Sequence, residues 1–287
     1  MRLRRSAAAV SPTAYYTGEV WVRSGLAPAE LRTAPGVALH AALQPAMLAS
    51  RLAGGPTLEG LLLARHRLID HLLAEAIESG EVGQVVEIAA GMSPRGLRFS
   101  EKYGDRITYV ETDLPAMATR KREQLAAMGR LSSHHRVEAA DALGTGPGSL
   151  AGVLAGLDRS AGVAVVSEGL LNYLATDDVR RLWGGVAEGL AAHPNGLYLS
   201  DLHLQGENQG AAARGFTAVL RAFVRGRLHF HFGDSDAARA ELLAAGFAET
   251  ALHRPSDFAE VVGRPDRRGA GLVRVIDARL QREDPQE

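Results

Sequence analysis

The sequence predicts an α/β fold with an open, mainly parallel sheet, and three observations support this fold class. Residues 84–115 read as a strand, a glycine turn, a helix, a second strand and an acid, which is the pattern of a nucleoside-binding βαβ unit. Residues 162–167 (GVAVVS) form an apolar run that is typical of a central parallel strand. Acidic residues follow the predicted strands, and in a parallel sheet such positions meet at the edge that binds ligands. They are Asp113, Asp141, Glu168 and Asp201.

The glycine turn of the βαβ unit discriminates between two nucleoside ligands. A dinucleotide site needs three glycines in the order G-x-G-x-x-G, and this chain has Ala89, Gly91 and Pro94 at those positions. S-adenosylmethionine has no pyrophosphate and needs only one close approach of the backbone, which the E-x-x-x-G spacing from Glu87 to Gly91 provides. The spacing therefore favours S-adenosylmethionine, with a dinucleotide or a turn without a ligand as the alternatives.

The elements around this unit alternate between helix and strand in the order that a parallel sheet requires. Thr57 is expected to cap a long helix that runs to about Ser79, just ahead of the first strand. Two late strands follow a long helix, and we expect them to form an antiparallel edge pair. The other predicted elements are a helix from Pro115 to Gly129, strands at 136–140, 162–167 and 197–199, a helix from Thr176 to Leu190, a helix from Ser235 to Gly246, and late strands at 248–253 and 271–278.

The chain is predicted to divide into an N-terminal cap or lid at residues 1–55 and a core at residues 56–287. Scattered glycine and proline predict short helical pieces in the first segment. Its aromatic residues, among them Tyr16 and Trp21, have two interpretations. They cover one edge of the core, or they form an active-site wall and contact the substrate.

A second cap is predicted within the core, because residues 203–233 break the alternation of strand and helix. The spelling LHFHF places His229 and His231 on a half-buried strand or extended lip, where they are candidate substrate contacts. An ordinary connecting helix is the alternative interpretation of this segment.

Composition excludes several classes of function. The 287 residues carry a formal net charge of -1, so there is no basic field that would indicate a nucleic-acid partner. There is no cysteine, which excludes disulfides and thiolate metal sites and suits a cytoplasmic protein. No apolar run approaches the roughly 20 residues of a membrane span, and the basic, alanine-rich start is too short for a signal peptide. A small molecule is the expected partner, and the oligomeric state stays open, with a homodimer as one alternative.

Several motifs in order resemble one known family. VVEIAAGMSPRGLRF, followed by YVETDLPAMATRKREQL, EAADAL and SEGLLNYL, is similar to the leucine carboxyl methyltransferase family. Within it, the chain looks most like bacterial polyketide O-methyltransferases of the tetracenomycin type, a branch that TAYYTGEVWVRSGLAP also resembles. The resemblance spans residues 14–175. It implies a class I S-adenosylmethionine-dependent methyltransferase, with a Rossmann-like seven-stranded sheet of order 3-2-1-4-5-7-6, an antiparallel last strand and a helical cap.

The resemblance also implies a role for each matching residue. Arg65 would meet the methionine carboxylate, although an arginine on such a helix is usually a solvated surface residue. One departure concerns the turn, because the family commonly has G-A-G where this chain has Ala89-Ala90-Gly91. The methyl group of Ala89 leaves less room for the cofactor to approach the backbone, so we expect weaker or shifted cofactor binding. The other implied cofactor contacts are Glu87 and Gly91 in the turn, Asp113 with the ribose hydroxyls, Asp141 and the backbone of Ala142 with adenine, and Glu168 near the methionine amino group.

The expected chemistry is methyl transfer from S-adenosylmethionine to an oxygen. The methyl group is already activated, so the protein must align the oxygen and exclude water. A carboxylate arrives ionised, whereas a phenol has a pKa near ~10 and benefits from a base. His203 is the first candidate base, with His229 and His231 as reserves, and a structural role is the alternative for each. Tyr173 is expected to orient the substrate oxygen, and no metal is predicted because the histidines lack a paired acid at ligand spacing.

The sequence therefore predicts an S-adenosylmethionine-dependent O-methyltransferase for a small, aromatic or polyketide-like secondary metabolite, as in antibiotic biosynthesis. Methylation of a carboxylate, on a small acid or a protein C-terminus, is the first alternative. A methyltransferase-like protein that binds without catalysis is the second.

Overall fold

A seven-stranded mixed sheet organises the computed structural model, which describes residues 3–206, 229–263 and 269–280. Its strand order is β3-β2-β1-β4-β5-β7-β6, the predicted order. Strands β1 to β5 pair in parallel, and β7 runs antiparallel to both β5 and β6, so the predicted antiparallel edge pair is confirmed. The strands are β1 (Gln84–Ile88), β2 (Thr108–Asp113), β3 (His135–Ala139), β4 (Val163–Ser167), β5 (Gly196–Leu202), β6 (Glu249–His253) and β7 (Arg274–Leu280).

Helices cover both faces of this sheet and extend beyond its ligand-binding edge. The predicted cap of the long helix before β1 is confirmed, because the Thr57 hydroxyl accepts a hydrogen bond from the Gly60 amide at 3.0 Å. The helices are α1 (Leu3–Arg23), α2 (Ala34–Leu52), α3 (Leu58–Glu78), α4 (Arg95–Tyr103), α5 (Pro115–Ala127), α6 (Leu150–Ala155), α7 (Thr176–Leu190), α8 (Ser235–Ala244) and α9 (Ala259–Val262).

Alternate residues of the central strands belong to two different apolar cores, one on each face of the sheet. Val86 and Val165 pack on the face covered by α7, whereas Val85 and Val166 pack on the face covered by α3. Successive side chains of a strand point to opposite faces. Both faces of β1 and β4 are covered, so every residue of these two strands is buried, including the polar Gln84 and Glu87 of β1.

The N-terminal segment differs from the predicted short helical pieces, because α1 and α2 are long helices. Thr33 caps α2 by accepting a hydrogen bond from the Gly36 amide, and Pro35 lies in the first turn, where a proline is tolerated. A Cβ at Gly36 would lie 2.5 Å from the carbonyl oxygen of Tyr15. This glycine therefore permits close contact between the two helices and does not break one.

The second predicted cap, near residues 203–233, falls mostly on residues 207–228, which lie outside the described residues. On its described flanks, Leu204 and His231 form an isolated parallel bridge. Among the residues that the structure describes, no helix has the length and apolar character needed to cross a bilayer.

Candidate active site

A cavity of about 630 Å³ lies at the carboxyl ends of the parallel strands. This volume is in the range of roughly 300–1,000 Å³ that is usual for small-molecule sites. Each of the five parallel strands contributes the residues that follow it, and α1, α3 and α5 complete the wall. The predicted site residues that line the cavity are Tyr16, Trp21, Arg65, Glu87, Ala89, Gly91, Asp113, Asp141, Ala142, Glu168, Tyr173 and His203.

The turn after β1 has an unusual backbone. Ala89 has a φ of 53° and Gly91 has a φ of 52°, so both residues are in the left-handed region that favours glycine. Asp113 supports the turn, because its Oδ2 accepts a hydrogen bond from the Gly91 amide at 2.8 Å and its Oδ1 accepts one from the Leu114 amide at 2.7 Å. Burial raises the pKa of Asp113, and these amide bonds partly oppose that shift. Each carboxylate oxygen keeps a further lone pair for a ligand hydroxyl.

The loop after β3 forms the neighbouring wall. Asp141 Oδ1 accepts a hydrogen bond from the Leu143 amide at 2.9 Å, and this bond orders the loop that contains Ala142. Both Asp141 and Ala142 line the cavity beside the Asp113 turn. The predicted ribose and adenine residues are therefore adjacent in the structure.

Arg65 connects α3 to two acids at strand ends. Its Nε donates to Glu168 Oε1 at 3.1 Å, and its Nη1 donates to Asp201 Oδ2 at 2.6 Å. Burial alone would lower the pKa of Arg65, but the charges of Asp201 and Glu168 outweigh it and raise the pKa above its ordinary value. Asp201 also accepts a hydrogen bond from the Gly169 amide at 2.6 Å. The fourth acid of the predicted row thus fixes the arginine and does not line the cavity itself.

Arg95 is the functional residue that the sequence interpretation missed. Its side chain is fully buried, and it donates to Asp70 Oδ1, Glu87 Oε1 and Glu168 Oε2, each at 2.6 Å. Burial alone would raise the pKa of Glu168, but the charges of His66, Arg95 and Arg65 hold it well below its usual range.

Arg95 shares the i, i+4, i+8 stripe of α4 with Phe99 and Tyr103, both buried. This periodicity was the available signal that the arginine points inward.

Glu87 is held by the same network. Its Oε1 accepts from Arg95, and its Oε2 accepts from the Tyr109 hydroxyl at 2.8 Å. The Glu87 side chain is 1% exposed. The geometry therefore makes Glu87 a support beneath the turn, although the residue also borders the cavity.

His203 lies on the far wall, after β5. Its Nδ1 is 2.8 Å from the carbonyl oxygen of Leu272. Because a carbonyl only accepts hydrogen bonds, Nδ1 carries the proton, and the lone pair of the neutral ring is on Nε2. No residue in the described ranges bonds to that Nε2. Burial lowers the pKa of His203, Asp201 opposes the shift and Arg65 adds to it, so the ring is neutral near pH 7.

Aromatic residues form the cover between these walls. The Tyr173 hydroxyl donates to Thr13 Oγ1 at 3.0 Å and so joins the loop after β4 to α1. Burial raises the pKa of Tyr173. Trp21 stacks on His66 with ring centroids 4.2 Å apart, and burial raises the pKa of Tyr16. Both predicted substrate aromatics of α1 therefore lie in the cavity wall.

The model of the family described as leucine carboxyl methyltransferase matches residues 28–187, which is more than half of the chain. The chain belongs to the leucine carboxyl methyltransferase family.

Relatives of this leucine carboxyl methyltransferase family member include two bacterial proteins named as S-adenosyl-L-methionine-dependent methyltransferases. The protein of Mycolicibacterium vanbaalenii is 35% identical over 130 residues, which cover 44% of this chain and 41% of that protein. The protein of Streptomyces coelicolor is 33% identical over 135 residues, which cover 46% of this chain and 45% of that protein. The matches thus cover less than half of either relative. The predicted cofactor, S-adenosylmethionine, is confirmed at the level of the family and of these named relatives.

Solved structures show the same fold over most of the chain. A DUF574 family protein from Streptomyces avermitilis superposes with a TM-score of 0.60 at 16% identity, covering 87% of this chain and 92% of that one. A methyltransferase from Thermobifida fusca superposes with a TM-score of 0.58 at 15% identity, covering 92% and 94%. The predicted class I methyltransferase fold of this leucine carboxyl methyltransferase family member is therefore confirmed.

Two predicted substrate residues of the family member lie apart from the cavity. His231 Nε2 donates to the carbonyl oxygen of Leu171 at 2.9 Å, and its Nδ1 is 3.1 Å from the Thr176 hydroxyl. The backbone amide of His229 donates to the carbonyl oxygen of Asn172 at 2.9 Å. Neither histidine is among the described residues that line the cavity. Both histidines contact the loop after β4. The same loop carries Asn172 and Tyr173 to the cavity wall.

The described residues of this leucine carboxyl methyltransferase family member contain no group of three or more histidine, aspartate or glutamate side chains arranged to hold a metal ion.

Proposed function

We propose that this protein is an S-adenosylmethionine-dependent O-methyltransferase that acts on a small aromatic hydroxyl compound, such as a polyketide-like secondary metabolite. The observation that carries this proposal is the state of His203. Its ring is buried in the cavity wall, and its Nδ1 proton is bonded to the Leu272 carbonyl at 2.8 Å. A neutral imidazole with a free Nε2 lone pair is the group that a phenol needs as a base.

The cavity residues that follow β1, β2, β3 and β4 suit the cofactor. When bound, the cofactor supplies a methyl group that is already activated on a sulfonium sulfur. The left-handed turn at Gly91 permits close approach of a nucleoside, and the Asp113 lone pairs suit ribose hydroxyls. In the proposed assignment, Arg65 binds the methionine carboxylate and Glu168 lies near the amino group. Glu87 and Ala89 support the turn, and Asp141 with the backbone of Ala142 binds adenine.

His203 and Tyr173 would transfer the proton and orient the acceptor oxygen. His203 Nε2 would take the phenol proton as the oxygen–carbon bond forms and the methyl–sulfur bond of the cofactor breaks. The negative charge of Asp201, which partly opposes the lowering of the His203 pKa by burial, would stabilise the resulting imidazolium. In the proposed assignment, the Tyr173 hydroxyl, which lines the cavity, helps to orient the same oxygen. Tyr16 and Trp21, with the rest of the cap at residues 1–55, exclude water and contact the substrate rings.

Methylation of a carboxylate is the second candidate, and the family description favours it. A carboxylate is ionised at pH 7 and needs placement without a base. In that case, the neutral His203 would serve only as a hydrogen-bond partner, and its removal would slow the reaction little. The absence of cysteine suits the cytoplasmic location that we propose for either activity.

Two measurements test the proposal. Calorimetry should detect binding of S-adenosylmethionine, and failure to bind would exclude both candidate activities. Labelled methyl transfer to a panel of phenols and aromatic acids, followed by mild alkali, then separates the candidates. Aryl methyl ethers survive alkali, whereas methyl esters release methanol, so release of the label would replace the phenol with a carboxylate acceptor.

A further inference from the structure

Arg120 of α5 contributes a positive charge to the cavity wall. Its Nη1 donates to the Tyr15 hydroxyl at 2.9 Å, and its guanidinium carbon lies 4.7 Å from the centroid of the Tyr15 ring. Its Nε is buried and has no hydrogen-bond partner in the described part of the chain. The contacts of Arg120 therefore hold the guanidinium in place, and none of them is with a carboxylate of a described residue.

The other arginine of the cavity wall is different in this respect. Arg65 is paired with the carboxylates of Glu168 and Asp201 at 3.1 and 2.6 Å. Arg120 has no carboxylate within ion-pair distance among the described residues; Glu123, one turn along α5, lines the same cavity but is exposed and does not pair with it. A half-buried guanidinium that has only a neutral phenol as its partner is a favourable site for an anion, and its planar fork matches a carboxylate.

The position of Arg120 keeps an anion that binds there away from the oxygen that is methylated. Arg120 lies on the helix that follows β2, whereas His203 follows β5. In the strand order, β1 and β4 stand between them. Three intervals of about 4.8 Å place the two strand ends about 14 Å apart. A group that Arg120 holds is therefore distant from an oxygen that faces His203.

We propose, building on the proposed methyltransferase function, that Arg120 determines acceptor specificity by binding a carboxylate of the acceptor that is remote from the methylated oxygen. The cofactor does not supply this anion, since its single carboxylate is assigned to Arg65. The acceptor class is then a hydroxylated aromatic acid, with its hydroxyl directed toward His203 and its acid group toward Arg120. Tyr15 holds the guanidinium in the orientation that receives the acid.

The test uses matched acid and amide probes on the full chain loaded with S-adenosylhomocysteine. Calorimetry compares a hydroxynaphthoate and a longer hydroxybiphenyl carboxylate with their neutral amides, which keep the shape but not the charge. We expect each acid that binds to bind about tenfold to a hundredfold more tightly than its amide, the range of a charge-assisted pair. Arg120→Gln should abolish this preference and leave the affinity for S-adenosylhomocysteine within about twofold. Arg181→Gln, which removes an exposed arginine of α7 paired with Asp178, should preserve the preference.

Three outcomes would overturn the inference. The parent protein binds no acid of the panel more tightly than its amide, Arg120→Gln retains the preference, or Arg120→Gln weakens S-adenosylhomocysteine binding more than tenfold with the preference unchanged. The last result would assign Arg120 to the cofactor. Failure of the parent to bind S-adenosylhomocysteine is a separate outcome, which refutes the proposed function itself.

Discussion

Arg95 and Glu168 form an ion pair of 2.6 Å beneath the cavity, with side-chain exposures of 0% and 7%. The pair joins the start of α4 to the loop after β4, which are the elements on either side of the proposed methionine site. Glu87 accepts from the same guanidinium at 2.6 Å, so one arginine fixes the acids of two neighbouring strands. The shape of the cofactor wall therefore depends on a buried charge that does not itself line the cavity.

We expect Arg95→Gln to destabilise the protein by about 3–5 kcal/mol, because it leaves Glu87 buried without a cation and removes one of the cations that neutralise Asp70 and Glu168. Urea unfolding followed by circular dichroism measures the change. S-adenosylmethionine binding should weaken in the same variant under native conditions. A loss of less than about 1 kcal/mol would show that the network is not needed for the fold.

Arg98→Gln is the matched control for this prediction. Arg98 also pairs with Asp70, but its side chain is 35% exposed. Partly exposed ion pairs contribute about 0–1 kcal/mol, since water screens them. The control should therefore unfold at nearly the urea concentration of the parent.

Ala89→Gly should stabilise the protein by about 0.5–1 kcal/mol and tighten S-adenosylmethionine binding. Ala89 has a φ of 53°, where a Cβ costs about 1–2 kcal/mol that glycine avoids, and part of the gain is lost to the greater freedom of glycine when unfolded. Removing the methyl group also widens the approach to the turn. Thermal unfolding and calorimetry give the two values, and weaker cofactor binding in the glycine variant would contradict the prediction.

Gly91→Ala tests the same backbone in the opposite direction. Gly91 has a φ of 52°, and an added Cβ would lie 3.4 Å from the Cβ of Ala14, an ordinary contact distance. The cost is therefore conformational, about 1–2 kcal/mol. Cofactor affinity should fall in this variant as it rises in Ala89→Gly.

The fold was predictable from sequence because its signals are local. Runs of apolar residues such as Val85 and Val86, and acids at the ends of β2, β3, β4 and β5, indicate both the sheet and its carboxyl edge. The support of the site was not predictable in the same way, because its partners are distant in the chain. Arg95 bonds to Asp70 and Glu168, and the proton position of His203 depends on the Leu272 carbonyl. No spacing rule connects such positions, since only the folded chain brings them together.

His229 and His231 show the limit of an alternating pattern. The spelling LHFHF predicts a half-buried strand or extended lip, but its described residues 229–232 form only an isolated bridge at His231, and Phe232 has a φ of 56°. His231 is fully buried. Alternation does not say whether the inward side chain faces a cavity or packs behind one of its walls. Here the nitrogens of His231 lie within hydrogen-bond distance of Leu171 and Thr176.

Tyr173→Phe tests whether α1 acts as a cover that closes over the cofactor. The variant removes the 3.0 Å hydrogen bond to Thr13 and leaves the ring in place. A neutral hydrogen bond contributes about 1 kcal/mol, so S-adenosylhomocysteine should dissociate about fivefold faster in stopped-flow measurements. In a double-mutant cycle, Thr13→Val should add little to Tyr173→Phe, because both changes remove the same bond. Additive effects, or an unchanged dissociation rate, would separate Tyr173 from any movement of α1.

The pH dependence of turnover tests His203 as the base. Burial lowers the pKa of His203 from 6.5, so the ring accepts a proton from the substrate only above that lowered pKa. We expect kcat to fall on the acid side with a midpoint below 6.5. His203→Asn should remove this acid limb and reduce kcat about 100-fold or more, with cofactor affinity nearly unchanged. The same shift predicts a loss of stability as the pH falls below 6.5, because the unfolded histidine binds its proton first. This loss should be smaller in the variant but not absent, because burial also lowers the pKa values of His135 and His231. An acid limb that persists in His203→Asn would assign the ionisation to another group, and an unchanged kcat would favour the carboxylate acceptor.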